Sequence, residues 1–385
     1  MERIYALVDC DSFFVSCEQA VNPELKNKPV AVTGGEYGCV VSRSKEAKQY
    51  GLPMGYPVFM AKKEYKNVIY IKGNHELYKD FSNKVINILK NFSPNVEVCS
   101  IDEAYVDFTG LCKLYKKNYY DLAVYLREKI LNEIDIPVSI GVSTTKTLAK
   151  FASDYAKHVA GVYLIGKSKL KKILPNTKID SICGIGRRMK VALNKEGILT
   201  CGEFVQKSDE WLKSKYSITY VELKHEILGE SIYNIFSGYK APKSIQETST
   251  FNPATNDISF LKNELNKHIK DACRKLRKHE LKTSVIGVML KTKDFVVYYD
   301  KLNLEKPMDS ELEISKNVFK LFEKIYNQNL LYRSSGVVLE RLSEKSIHQT
   351  TLFSEQTNEK TEHLSKTIDK IEQKFGKGSI KTGFL

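Results

Sequence analysis

The sequence contains no Cys-x-x-Cys pair. Its eight cysteines (Cys10, Cys17, Cys39, Cys99, Cys112, Cys183, Cys201 and Cys273) are scattered, so neither a zinc module nor a disulfide framework is indicated, and a reducing cytoplasm fits this usage. No apolar run approaches the ~20 residues that a bilayer span requires, and no membrane partner is expected. The N-terminus runs straight into an apolar strand pattern ending at Asp9, without the features of a cleavable signal. Gly34, Gly35 and Gly38 do not make a dinucleotide fingerprint, because a strand pattern and not a helix follows them. They read as a turn.

Acidic charge is also in short supply. The 385 residues carry 60 Lys and Arg against 46 Asp and Glu, a formal net charge of +14. The excess is spread along the chain rather than packed into one tail, which favours a polyanionic partner, nucleic acid first, over a basic targeting signal. With 42% hydrophobic residues there is material for two to four modules with cores of their own.

What is present is a carboxylate-bearing hairpin at residues 100–107, Ser-Ile-Asp-Glu-Ala-Tyr-Val-Asp. It lies between Val96-Glu97-Val98-Cys99 and Phe108, and its β-branched and aromatic residues read as two short strands joined by a tight turn that carries Asp102 and Glu103. Near the start, Arg3-Ile4-Tyr5-Ala6-Leu7-Val8 is a buried-strand run that ends in Asp9, with Asp11 just beyond. If that strand lies beside the hairpin in one sheet, Asp9, Asp102 and Glu103 converge at one edge. Clustered carboxylates repel one another unless protonated or bridged by cations, and hard oxygen ligands suit Mg²⁺. A pair of such ions is the usual device for in-line phosphoryl transfer.

Asp9-Cys10-Asp11-Ser12-Phe13-Phe14 together with Ser100-Ile101-Asp102-Glu103-Ala104-Tyr105 resembles the two metal motifs of the Y-family, or translesion, DNA polymerases, in a branch closer to the UmuC type than to the DinB type. The resemblance extends over nearly the whole chain. It implies an α+β multidomain right hand: a ferredoxin-like palm (residues 1–10 and 72–166), small fingers (11–71), a helical thumb with a helix-hairpin-helix (167–236), a linker (237–245), an α+β little finger (246–342) and a C-terminal tail (343–385). Asp9, Asp102 and Glu103 are then the ligands of two Mg²⁺ ions, with the Cys10 carbonyl as a main-chain ligand.

Residues 11–18 are expected to be helical, which puts the amides of Ser12, Phe13 and Phe14 at a helix N-terminus suited to a triphosphate. By the resemblance Phe14 falls on the steric-gate position, where a ring stacks under the incoming sugar and leaves no space for a 2′-hydroxyl, while Phe13 is partly core. Ser42, Arg43, Lys45 and Lys48 surround a strand-to-helix junction in the fingers, where cations clamp phosphates. Lys48 stands where relatives often have Arg and the Tyr of the DinB branch is missing, so which residue bonds which phosphate stays open. Residues 141–153 resemble the family's next motif, and Lys157 falls on a lysine that reaches the triphosphate. Lys146 and Lys150 read instead as a solvated helix face. Leu77, Phe81, Val85, Ile88, Leu89 and Phe92 recur at helical spacing and read as core. Helix from 121 to 134, strand from 137 to 142 and helix from about Thr145 complete the palm pattern.

Beyond Gly166, Ile182-Cys183-Gly184-Ile185-Gly186-Arg187-Arg188, followed by Leu193 and Gly197-Ile198, reads as a helix-hairpin-helix whose glycine turn lets backbone amides approach a DNA phosphate. Residues 237–243, with Gly238 and Pro242, read as a linker. A basic helix over 259–282, strands at 284–290 and 294–299, a helix over 310–327 and a strand at 335–341 follow, with Lys291, Lys293 and Arg341 as candidate duplex contacts. In the polar tail, His348-Gln349-Thr350-Thr351-Leu352-Phe353 isolates two large apolar residues, a pattern that marks a partner; Gln349, Leu352 and Phe353 resemble the peptide with which bacterial polymerases bind the sliding clamp. Residues 363–375 read as a short amphipathic helix without an assigned role.

The reading is a template-directed, error-prone DNA polymerase of DNA repair and the SOS response, adding deoxynucleoside triphosphates to a primer 3′-hydroxyl on primer-template DNA. The resemblance implies an open site tolerant of damaged templates, with small fingers and no exonuclease-like second acidic cluster before the palm. Two alternatives come from other classes. A template-independent nucleotide cyclase with a palm is opposed by the helix-hairpin-helix and the tail, and a catalytically silent DNA-binding repair scaffold is opposed by the presence of all three carboxylates.

Overall fold

The structure, a computed structural model, describes residues 2–35, 37–238, 240–344, 367–372, 374–376 and 379–380. The chain divides into two compact units, residues 1–238 and 239–385.

The first unit is built on a five-stranded sheet in the order β5-β6-β1-β7-β8, with β1 at Tyr5–Cys10, β5 at Val96–Val98, β6 at Glu103–Asp107, β7 at Val138–Ser143 and β8 at Val162–Ile165. The central strand β1 is antiparallel to both neighbours, and all six of its residues are buried. Its alternation therefore serves two different packings. Ala6, Val8 and Cys10 face a large core formed with Tyr78, Phe81, Val85, Ile88, Leu89 and Phe92 of the His75–Phe92 helix and with the Tyr119–Ile134 helix. Each large apolar side chain buried there contributes roughly 1.5–3 kcal/mol. Both helices begin at an asparagine cap, Asn74 and Asn118, whose side chain accepts a first-turn amide hydrogen bond. The apolar stripe starts at Tyr78, which is fully buried, rather than at the half-buried Leu77.

The opposite face of β1 carries Tyr5, Leu7 and Asp9, and the Lys146–Ala156 helix covers it. Across the ladder from those residues β7 presents Ser143, Gly141 and Ser139. These small residues let the helix settle directly onto the strand. A Cβ on Gly141 would lie 2.0 Å from the Ser153 amide nitrogen and 2.2 Å from the Ala149 carbonyl oxygen, both backbone atoms. The close approach sets how far side chains of this helix reach over the sheet edge.

Beside this sheet a small one in the order β3-β2-β4 (β2, Val30–Thr33; β3, Val40–Arg43; β4, Ile69–Lys72) encloses a minor core of Ala31, Val40, Ala47, Leu52, Ala61 and Val68. Residues 167–228 are helical and share a third core that includes Leu170, Ile185, Leu193, Phe204 and Ile227. Where a helix-hairpin-helix is expected, a three-residue 3-10 turn at Ile179–Ser181 precedes Gly184 and the Arg187–Lys195 helix follows Gly186.

The second unit is a four-stranded antiparallel sheet, β11-β10-β12-β9, with the Ile258–Lys278 and Glu311–Ile325 helices packed on one face. Its strands are longer than their apolar runs: β9 spans Ser244–Thr255, β10 Leu281–Thr292, β11 Val297–Met308 and β12 Tyr332–Glu344. Three expectations need correction. The basic helix stops at Lys278, because Glu280 takes a left-handed φ of 54° and turns the chain into β10, where Lys282 is buried. The strand expected at 294–299 starts at Val297, after a turn in which Phe295 has a φ of 68°. Residues 244 and 245 belong to β9 and not to a linker. Among the described tail residues, 367–372 are helical; Asp369 pairs with Arg277, and Glu372 with Arg274 and Lys270, of the Ile258–Lys278 helix.

Candidate active site

The β1–β6 register places Asp9 directly opposite Glu103. Residues opposite one another on antiparallel strands share a face, so both carboxylates point to the side covered by the Lys146–Ala156 helix. From that helix the Lys150 Nζ donates to Asp9 Oδ2 at 3.0 Å and to Glu103 Oε2 at 2.6 Å. Lys157, just past its end, donates to the same Asp9 oxygen at 3.0 Å and to Asp154 Oδ1 at 3.2 Å. Burial alone would lower the Lys150 ammonium, but the hydrogen bond to Glu103 and the charge of Asp9 prevail and raise it above the ordinary lysine value. It stays charged.

The solvated helix face expected for Lys146 and Lys150 is therefore wrong. Lys150 is only a fifth exposed, and Lys146 donates to Glu97 at 2.6 Å while lying over the Tyr105 ring at 4.7 Å. Lys146, Lys150 and Lys157 follow at intervals of four and seven, which put them on one helical face. That spacing is the signal in the sequence; what it cannot say is that the face meets a sheet edge rather than water.

Asp102 behaves differently from its two companions. Its backbone carbonyl accepts from the Cys10 amide at 2.8 Å, which docks the turn against the end of β1, but its Oδ1 accepts from the Ser100 hydroxyl. Among the described residues no three His, Cys, Asp or Glu side chains are grouped as around a metal ion. The strand register brings two of the three expected carboxylates, Asp9 and Glu103, onto one face. Asp102 precedes the ladder, so no strand register fixes where its side chain points. Burial, with the Asp102 and Asp9 charges, pushes the Cys10 thiol well up, and its side chain belongs to the main core.

Ser12 caps the Phe13–Val21 helix in a left-handed conformation, φ 48°. Its carbonyl accepts from the Ser42 hydroxyl at 3.1 Å, and its hydroxyl from Lys48 Nζ at 2.9 Å. Ser12, Ser42 and Lys48 are therefore together, as expected. Arg43 is near enough to Lys48 for its charge to lower that ammonium, and its guanidinium donates to the Leu52 carbonyl. Phe13 is in the main core, 3% exposed, while the half-buried Phe14 ring stacks on Tyr78 at 4.5 Å and 17°. Tyr78 is held from behind by a 2.7 Å hydrogen bond to Glu18, and His75 meets Phe14 edge-on. Neither Tyr78 nor His75 was singled out by the sequence.

Gly184 has a φ of 102°, a conformation that favours glycine, and Gly186 caps the Arg187–Lys195 helix; Arg187 and Arg188 are exposed. In the second unit Lys291 and Arg333 both lie over the exposed Phe295 ring, at 5.0 and 4.4 Å, and Lys293 and Arg341 are exposed. Gln349, Leu352 and Phe353 lie outside the described residues.

Comparison with known proteins agrees with this geometry. The profile of the impB/mucB/samB family matches residues 8–154, and that of the impB/mucB/samB C-terminal domain matches residues 242–352. The chain is 29% identical to Protein UmuC of Salmonella typhimurium, covering 98% of this chain and 92% of that one. It is 32% identical to DNA polymerase IV of Dehalococcoides mccartyi, covering 98% and 96%. Among solved structures, a chimera of the Y-family DNA polymerases Dbh and Dpo4 superimposes with a TM-score of 0.75 at 24% identity, covering 89% of this chain and 99% of the other. An insertion ternary complex of Dbh DNA polymerase gives 0.59 at 25% over the same shares. The chain belongs to the impB/mucB/samB family and is a Y-family, translesion DNA-directed DNA polymerase of the UmuC type. The cyclase and silent-scaffold alternatives are not favoured. DNA and deoxynucleotides are its partners, and polymerases of this family work with divalent metal ions. Among the described residues no helix is long and apolar enough to cross a membrane.

Proposed function

We propose that Asp9, Asp102 and Glu103, with the Cys10 carbonyl, hold two Mg²⁺ ions at the end of β1 and support attack of a primer 3′-hydroxyl on the α-phosphate of a deoxynucleotide. The observation that carries this reading is that Asp9 and Glu103 share one ammonium group, Lys150 Nζ, between them. Their oxygens already surround a positive charge, and an all-oxygen donor set suits a hard cation. When bound, the metal ions supply activation of the attacking hydroxyl and neutralisation of the pyrophosphate leaving group. The chain's own part is positioning. The ladder fixes Asp9 against Glu103, and the 2.8 Å bond from the Cys10 amide keeps the Asp102 turn at the same strand end.

Around this centre, Lys157 and Lys48 with the amides of Ser12, Phe13 and Phe14 take the triphosphate, and Ser42 fixes the Ser12 carbonyl behind them. Arg43, whose charge acts on Lys48, belongs to the same phosphate-binding group. Phe14 is the steric gate and Tyr78 is the surface it rests on. Gly184, Gly186, Arg187 and Arg188 contact DNA backbone without reading sequence; Lys291, Lys293 and Arg341 grip the duplex; Gln349, Leu352 and Phe353 bind the sliding clamp. The palm (1–10 and 72–166), fingers (11–71) and thumb (167–236) are assigned as expected from the sequence, and the little finger is assigned from Ser244, where β9 begins. Eight cysteines, all unpaired, support a cytoplasmic enzyme, and its assigned place is the SOS response.

The test is primer extension by Asp102→Ala and Glu103→Ala in saturating Mg²⁺, with DNA binding measured in parallel. Both variants are expected to lose at least about a thousandfold in nucleotide addition, because charge neutralisation is the largest part of such catalysis, while DNA affinity and its salt dependence persist. Near wild-type extension by either variant would remove that residue from the ligand set.

A further inference from the structure

We infer that Lys150 is an internal counter-ion: its ammonium holds Asp9 and Glu103 together before metal arrives, and must leave both carboxylates when metal binds. The inference rests on the reading of Asp9 and Glu103 as metal ligands and adds a residue that this reading does not use. Asp9 is 8% exposed, and its side chain stands directly opposite a second carboxylate. Two such groups left alone at a half-buried edge repel each other and pay a desolvation penalty. Lys150 and Lys157 supply two positive charges to these two negative ones, and Lys150 alone bridges both.

The helix also carries a place for the ammonium to go. Asp154, 48% exposed, is four residues after Lys150 and three before Lys157; it already lies 4.0 Å from the Lys150 Nζ and 3.2 Å from that of Lys157. A small swing of the lysine stem moves its charge from the sheet edge to a carboxylate on its own helix. Metal binding is then an exchange of one cation for another, and apparent metal affinity is weakened by whatever the lysine contacts were worth. The depth of the helix over Gly141 sets Lys150 within reach of both partners. Lys150 is a positioning residue: it arranges the ligands and touches neither substrate nor reacting atoms.

The experiment measures Mn²⁺ binding to the full chain, without DNA or nucleotide, by loss of the electron paramagnetic resonance signal of free Mn²⁺. Lys150→Met is expected to bind Mn²⁺ about tenfold more tightly than wild type and to melt at a lower temperature in EDTA, with the difference in melting closed by Mn²⁺. Lys150→Arg, which keeps the charge, is expected to bind within about threefold of wild type. A wild-type measurement makes the outcome independent of whether the variants fold: amine acetylation read by mass spectrometry is expected to label Lys150 faster in the presence of Mn²⁺, as it leaves the carboxylates. Equal or weaker Mn²⁺ binding by folded Lys150→Met, or unchanged Lys150 labelling on Mn²⁺ saturation, overturns the counter-ion. Failure of the underlying ligand assignment has a different sign, Mn²⁺ binding by Glu103→Ala equal to that of wild type.

Discussion

The two large sheets of this chain start from the same plan and end differently. Each has a pair of helices packed on one face. The five-stranded sheet is closed on its other face by the Lys146–Ala156 helix, which brings Lys150 and Lys157 onto Asp9. On the four-stranded sheet no described helix covers the other face, and Gln246, Thr248, Thr250, Tyr299 and Lys301 are exposed along it. Closure fixes side chains to within a hydrogen bond, as chemistry needs; an open face with polar and basic residues offers area for sequence-independent contact. The glycines mark the difference. At Gly141 an added Cβ meets backbone, whereas at Gly287 it meets the Tyr299 hydroxyl at 2.4 Å, the far end of a side chain that can swing away.

Breaking the contrast at its strongest point gives the largest effect. Gly141→Ala forces the covering helix off β7 and is expected to cost about 3 kcal/mol or more in stability, with nucleotide addition falling further than DNA binding. Gly287→Ala is expected to change stability by only about 0.5 kcal/mol. Thermal denaturation of the two variants side by side checks both values, and equal losses would mean that closure is not what distinguishes the sheets.

Next in size is the sugar. Phe14→Ala removes the ring stacked on Tyr78, and its ribonucleotide incorporation relative to deoxynucleotide is expected to rise by at least about a hundredfold, since the 2′-hydroxyl then has space. An unchanged ratio in single-nucleotide insertion would return Phe14 to the core. A smaller effect is expected outside both sheets. Leu352→Ala combined with Phe353→Ala should leave single-nucleotide addition intact and abolish stimulation by the sliding clamp on a long primed template, because a tether acts only through local concentration. Equal stimulation of variant and wild type would leave the peptide without this partner.

The smallest predicted effect concerns pH. Hydrogen bonds to Asp209 at 2.9 Å and Glu230 at 2.7 Å raise His225 above its ordinary value. A folded-state value raised above the unfolded one of about 6.5 gives stability that is fully present below about pH 6.5 and is lost as pH rises through the folded value. The stability difference between wild type and His225→Gln should therefore shrink from pH 6 to pH 9; a difference that grows would reverse the assignment.

How much of this was legible beforehand divides along the same line. The strand ending in Asp9 and the hairpin with Glu103 announce themselves by β-branched residues and adjacent carboxylates, and once paired they share a face. Asp102 lies in the turn, and its bond to Ser100 follows no periodicity. Lys150 looks like a surface lysine because a helix face toward a polar sheet edge has the same composition as one toward water. Arg43 gave no sign that it would turn to the Leu52 carbonyl. In the second unit β9 passed unnoticed: along Ser244–Thr255 only Ile245 is fully buried, so no apolar run marks the strand. Its partner β12 supplies the order that its own residues do not.

The closed sheet edge is expected to copy a template, including a damaged one. Primer extension across damaged and undamaged template bases, with and without Mg²⁺, tests it most directly. Mg²⁺-dependent insertion opposite both, with the base chosen opposite undamaged positions following the template, is the predicted result. Insertion that ignores the template sequence, or that proceeds equally in EDTA, would contradict it.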